Sequence, residues 1–265
     1  MAPAVRSRPM PTAQLRDLTL RALQSTAHGG DAIALPIVFP LIIFAINLKS
    51  LESILLVSGF PTGHVADFAA ALTFLQGALF SGIACASRMA SDIESGFIKR
   101  IALAPVSMPV VVGARLGSVA LVGVLQALCY LGASFAGGAT VAAGLSGVLG
   151  IVALSVLFNV TFASVGIVLA VRSRSGEAVQ SLFPVFFVFV MLSSALMPRN
   201  LIEVTWFRDV AKSNPVTYML EAIRSLFIRG WNGQALELGG GMAVGILCLT
   251  AFLSLKSMRR LMVTP

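Results

Sequence analysis

The sequence predicts an all-α membrane protein with six transmembrane helices. Two observations lead there. Hydrophobic residues make up 57% of the chain and charged residues only 11%, against roughly 25% charge in soluble domains. The intervals between charges also match a bilayer core, which needs ~20 mostly apolar residues per helical crossing. A soluble chain this poor in charge would expose more apolar surface than water tolerates, and the mean hydropathy of +0.92 agrees.

The uncharged intervals give the spans in order. The first, about 31–48, contains Pro36 and Pro40 and is expected to kink, its freed carbonyls being satisfied by neighbouring helices. The second, 67–88, is bounded by Asp67 and Arg88. From Leu116 to Val171 no charge occurs over 56 residues, about 84 Å of helix at ~1.5 Å per residue. That interval must hold two spans, 109–136 and 145–171, joined by a turn at Gly137-Gly138 to Gly144. The fifth run is 178–198 and the sixth 237–256, followed by a tail at 257–265. The 31–256 stretch thus reads as one membrane domain behind a polar, basic segment at 1–30, with no evident cleavable signal.

Charge sets the orientation. With both termini cytoplasmic, the outer segments hold Lys49, Arg199, Arg208, Lys212, Arg224 and Arg229, balanced by Glu52, Asp67, Glu203, Asp209, Glu221 and Glu237. The whole formal charge of +8 then lies inside, as the positive-inside rule requires. The same charges, scattered in short loops beside lipid spans, give no nucleic-acid-binding face. Trp206, Trp231 and Tyr218 share the last outer segment, which places it against the bilayer interface.

Three segments outside the spans carry structure. Thr12 to Ser25 puts Leu15, Leu18, Thr19, Ala22 and Leu23 on one face, an interfacial helix on the inner surface. Arg88 to Pro105 puts Ile93, Phe97, Ile98 and Ile101 on one side of a short amphipathic helix ended before Pro105. Arg199 to Glu237 has Val216, Met219, Ile223, Leu226 and Phe227 at helical spacing, which suits short helices dipping back toward the membrane before the last span. Within it, Glu221 and Arg224 stand three apart and could pair on one helical turn, as a structural clamp.

The chemistry is sparse. No G-x-x-x-x-G-K loop is present to cradle ATP, and no spread of mid-span ionisable groups suits a proton relay. Cys85, Cys129 and Cys248 lie singly in apolar runs, and His28 and His64 have no ligand partners at metal spacing. No catalytic, cofactor or metal residue is therefore assigned. The polar residues within spans, Asn47, Gln76, Gln126, Asn159 and Thr161, suit either helix contacts or a polar pathway lining.

Two motifs carry a family resemblance. Glu94, Gly96 and Arg100, followed by Pro105, Val106 and Ser107, resemble the E-x-G-x-x-x-R and Pro-Val-Ser loop of type 2 ABC exporter permeases, the group that includes daunorubicin-resistance permeases and polysaccharide or lipid export permeases. Asn214, Pro215, Thr217, Tyr218, Glu221, Ala222 and Arg224, followed by Gly230-Trp231, resemble that family's N-P-x-T-Y-x-x-E-A-x-R segment before the last span. The resemblance covers nearly the whole chain. It implies a cell-membrane permease, acting as a homodimer or heterodimer with a second permease copy and with cytoplasmic ATP-binding subunits that hold ATP and Mg. The substrate implied is drug-like, lipid or lipid-linked, with antibiotic resistance as one outcome. It also implies that Asp92, Glu94, Gly96, Phe97, Arg100 and Pro105 form the coupling helix that meets those subunits. An ATP-independent transporter and a non-transporting membrane scaffold are the competing readings.

Overall fold

The computed structural model describes residues 31–102 and 108–263, and every regular element among them is helical. The expected interfacial helix at Thr12 to Ser25 and Pro105 lie outside the described residues. Helix α1 spans Asp31–Ser50, α2 Val65–Glu94 and α3 Phe97–Ala102. Helices α4, Met108–Ala136, and α5, Gly144–Ser173, follow as an antiparallel hairpin. Then come α6, Gly176–Ser181; α7, Phe183–Met191; α8, Thr205–Ser213; α9, Pro215–Ile228; and α10, Gly233–Val263. Among the described residues, four helical stretches are long and apolar enough to cross a membrane: Val65–Glu94, Pro109–Ala136, Gly144–Ser173 and Gly233–Met258.

Helix α2 is the axis of the bundle. Almost every side chain from Val65 to Gly82 is buried, because α1, α4, α5, α6 and α9 pack around it. Its small residues set how closely they approach. A methyl group on Gly82 would lie 2.8 Å from the Phe162 carbonyl, and one on Gly166 would lie 2.6 Å from the Gly82 oxygen. The α2–α5 crossing is thus a backbone-to-backbone contact of the kind that small residues permit where lipid supplies no hydrophobic drive for association. By contrast α10 turns Leu249, Phe252, Val244 and Met242 outward, and α1 does the same with Leu35, Val38, Ile42 and Ile46.

Polar residues inside the bundle join helices. Gln126 Nε2 donates to Ser81 Oγ at 2.8 Å, Ser164 and Thr250 share a hydroxyl bond at 2.8 Å, and Thr161 Oγ1 donates to the Ala243 carbonyl at 3.2 Å. Tyr130 answers the prolines of α1. Pro40 has no N–H for the Pro36 carbonyl, and the Tyr130 hydroxyl donates to that oxygen instead. Gly77 makes the space, since a methyl group there would sit 2.2 Å from the Tyr130 hydroxyl.

Two stretches depart in detail from uniform uninterrupted spans. The fifth run, 178–198, is not one continuous helix but α6 and α7 followed by turns. Pro184, in the first turn of α7, removes an N–H and crowds the preceding turn, which breaks the helix at Leu182. Helix α10 runs on to Val263, so the expected tail begins in helical form.

Tyr130→Phe is expected to lower stability by about 1–3 kcal/mol, the cost of a buried carbonyl left without a donor, in reversible detergent unfolding of the purified chain. Gly77→Leu should cost more because it blocks the ring itself. Unchanged unfolding in both variants would contradict this packing.

Candidate functional site

The two motifs occupy opposite ends of α2, here called the Gly96 end and the Asn214 end. At the Gly96 end, α2 runs past the expected limit of its span and carries Asp92 and Glu94 in its last turn. Ser95 N–H bonds the Ser91 carbonyl at 2.9 Å and Gly96 N–H the Ile93 carbonyl at 3.1 Å. Gly96 has φ +70, the left-handed geometry that ends helices and that a residue without Cβ adopts at no steric cost. The chain then restarts as α3, so the short amphipathic helix begins at Phe97 rather than at Arg88.

The side chains around that break are tied to three other elements. Ile98, 5% exposed, sits in an apolar cluster with Met89, Ala90, Val111, Val112 and Val179, and Phe97 packs against it. Asp92 pairs with Arg115 of α4. Glu94 Oε1 accepts the Gly176 N–H at 3.0 Å, where α6 begins. Arg100 is exposed. The structure therefore brings Asp92, Glu94, Gly96 and Phe97 together and leaves Arg100 on the open side. Arg115 and Gly176 are additional members. Ser175, which caps α6 by accepting the Ala178 N–H at 3.4 Å, is the sequence signal that a helix starts there.

At the Asn214 end the motif holds the irregular backbone after α7. Asn214 caps α9 by accepting the Val216 N–H at 2.9 Å. Its Nδ2 donates to the Phe189 and Leu192 carbonyls at 2.7 and 3.2 Å, oxygens that the end of α7 leaves unpaired. Pro215 takes the first helical position of α9, where a missing N–H costs nothing. Thr217, fully buried, accepts the Ser194 N–H at 3.3 Å.

Arg224 continues the clamp one turn further. It is 6% exposed, donates through its two terminal nitrogens to the Ser194 and Ala195 carbonyls at 3.1 and 3.3 Å, and stacks 3.6 Å from the centroid of the Phe68 ring. Burial pushes its guanidinium down from the ordinary arginine value, and the nearby Glu221 charge opposes that shift.

Glu221 bonds Arg199, at 2.6 Å, and not Arg224. Arg199 also stacks over Tyr218 at 5.2 Å, and the Tyr218 hydroxyl donates to the Lys212 carbonyl at 2.7 Å. The expected Glu221–Arg224 clamp is thus replaced by two separate ones. Ala222 is small because α10 crosses there: a methyl group on Gly239 would lie 2.5 Å from its Cβ.

The far end of α9 is held as well. Ala142 and Ala143 N–H groups bond the Phe227 and Leu226 carbonyls at 3.0 and 3.1 Å. Trp231 Nε1 donates to Ser146 Oγ at 3.0 Å. Buried Asp67 accepts the Thr62 hydroxyl and the Thr140 N–H at 2.8 and 2.7 Å, so the α4–α5 turn is tied to both α2 and α9.

Helical crossings with their tied chemistry at the two ends define a multi-pass membrane protein. A sequence model of the ABC-2 type transporter family matches residues 13–228, and the chain belongs to that family as the permease subunit of an ABC transporter. Such a subunit is the membrane part of an assembly in which the family implies an ATP-binding partner. No curated protein matches the chain.

Arg224→Gln is expected to destabilise the chain by about 2–3 kcal/mol, because two buried carbonyls lose a charged donor. Arg199→Gln should cost less than about 1 kcal/mol, since its pair with Glu221 is partly solvated. Unfolding curves of the two variants would separate them; equal losses would contradict the division into two clamps.

Proposed function

We propose that the chain is the membrane subunit of an ATP-driven exporter of the daunorubicin-resistance-permease kind, crossing the cell membrane six times with both termini in the cytoplasm. Two features support six crossings. The 20 residues of α1 reach about 30 Å at ~1.5 Å per residue, and α6, α7 and the clamped turns after them together supply the fifth crossing. The positive-inside balance of the loops puts the Gly96 end in the cytoplasm.

The observation that carries the reading is the attachment of α3. This six-residue helix hangs from the α2 axis by the Gly96 hinge, is seated by Ile98, and is linked by Glu94 to the start of α6. A partner pressing on α3 would move α2 and the broken helix together. Two cytoplasmic ATP-binding subunits, which hold the ATP and Mg, close on α3 and on the N-terminal interfacial segment. The spans of this chain and of a second permease copy rock apart toward the outside. Arg100, on the exposed side of α3, contacts the ATP-binding subunit, as does Pro105. The cargo is a drug, a lipid or a lipid-linked molecule, which an apolar, lipid-accessible bundle accommodates without charged mid-span groups.

Gentle solubilisation and capture by a C-terminal tag is expected to bring down a stoichiometric ATP-binding subunit with vanadate-sensitive hydrolysis. In that complex Glu94→Ala, which removes the acceptor of the Gly176 N–H, should leave the assembly intact and lower substrate-dependent export about tenfold, a coupling loss of ~1.4 kcal/mol. Export at wild-type rate in this variant would remove α3 from the coupling path. A pure chain with no associated ATPase would favour an ATP-independent transporter or a scaffold.

A further inference from the structure

The Asn214 end contains a cavity of ≈ 420 Å³ between the α1–α2 connection, the segment after Pro198, α9 and the start of α10. Its walls bring together Arg199, Arg224 and Arg229, with Glu221 as the carboxylate facing them. Three guanidiniums against one carboxylate leave a formal excess of two positive charges. The local charge is therefore opposite in character to the balanced outer loops as a whole.

The donors are also incompletely used. Arg224 spends its terminal nitrogens on Ser194 and Ala195, but its buried Nε has no hydrogen-bond partner. That Nε is enclosed by protein, so Arg224 gives the cavity its charge and not a further donor. Arg199 gives one nitrogen to Glu221 and keeps the rest of its fork. Arg229 is exposed, and among the described residues its guanidinium bonds no other side chain. Asn232 uses its Oδ1 to cap α10 through the Ala235 N–H at 3.1 Å, which leaves its amide NH₂ as a further donor at the rim.

We infer that this cavity is a binding site for an oxyanion, a phosphate or carboxylate, carried either by a free anion such as the charged group of a cargo molecule or by a phospholipid headgroup. Arginine forks match the planar or tetrahedral oxygens of such groups and bind them by paired charge-assisted hydrogen bonds. The fold keeps the arginines in place without the ligand, because Glu221, Phe68 and the Ser194 and Ala195 carbonyls already fix two of the three. Binding therefore spends little on ordering them. The site's placement facing the outside rests on the permease reading above; its chemistry does not.

The test uses the full chain in phosphatidylcholine nanodiscs, with no ATP-binding subunit present. Equilibrium dialysis with labelled inorganic phosphate at fixed ionic strength measures the free-anion arm. Native mass spectrometry of chain reconstituted with mixed phosphatidylglycerol and phosphatidylcholine measures the headgroup arm. Two variants probe the site: Arg229→Gln, which removes an exposed donor, and Asn232→Asp, which retains the α10 cap while cancelling one positive charge. Saturable phosphate binding, weakened about tenfold by each variant at unchanged melting temperature, supports a free-anion site. Selective retention of phosphatidylglycerol, lost in both variants, supports a headgroup site. Absence of both kinds of binding, or binding that neither variant alters, overturns the inference. Neither arm needs ATP hydrolysis, so failure here is distinct from failure of the exporter reading.

Discussion

Backbone amides and carbonyls that leave the helical ladder inside an apolar surrounding must find a partner, and this requirement shapes the protein more than any other. The chain breaks its own ladder at Pro40, at Leu182 before Pro184, and through residues 192–198. At the first and last of these breaks a side chain from a distant helix supplies what is missing. Tyr130 serves Pro36; Asn214, Thr217 and Arg224 serve Phe189, Leu192, Ser194 and Ala195. The second motif is in this light a set of side-chain donors and acceptors for that backbone, placed on α9 and its cap at the spacing of helical turns.

That clamp connects the two ends of the molecule. Helix α9 packs on α2 and α10, and Arg224 stacks on Phe68 in the first turn of α2. The same α2 ends 26 residues later at Glu94, where Gly96 begins the turn into α3. Its close crossing with α5 through Gly82 and Gly166 leaves little freedom to bend between those points. Under the proposed mechanism a displacement at α3 would therefore reach the clamped turns after α7 as a rigid shift, without a chain of small rearrangements.

Much of this was legible in the sequence, for physical reasons that differ by element. Gaps between charges gave α2, α4, α5 and α10 because bilayer thickness dictates an uncharged length, and the glycines at 137–144 gave the hairpin turn between α4 and α5. On 178–198 the same test gives length alone, since composition reports solubility in lipid and says nothing of continuity; Pro184 and the Ser193-Ser194 pair are the cues to the breaks. Glu94 and Gly96 are legible by motif, and Asp92 and Phe97 by the amphipathic pattern beside it. Their partners Arg115 and Gly176 are 23 and 82 residues away. Spacing offers Glu221 the nearest opposite charge on its own helix, Arg224, but the folded chain supplies Arg199 from the preceding connection. Local spacing identifies what can pair within a helix, and tertiary packing decides what does.

Amide hydrogen exchange of the full chain in nanodiscs tests the central claim most directly, by following the Ser194 and Ala195 amides beside those of α7. If α9 clamps the irregular segment, the Ser194 amide, bonded to Thr217, should exchange as slowly as the core of α7 and lose that protection in Thr217→Val while α7 keeps its own. Rapid exchange at Ser194 in the unaltered protein, or protection indifferent to Thr217, would show that the turns after α7 are held by something other than α9.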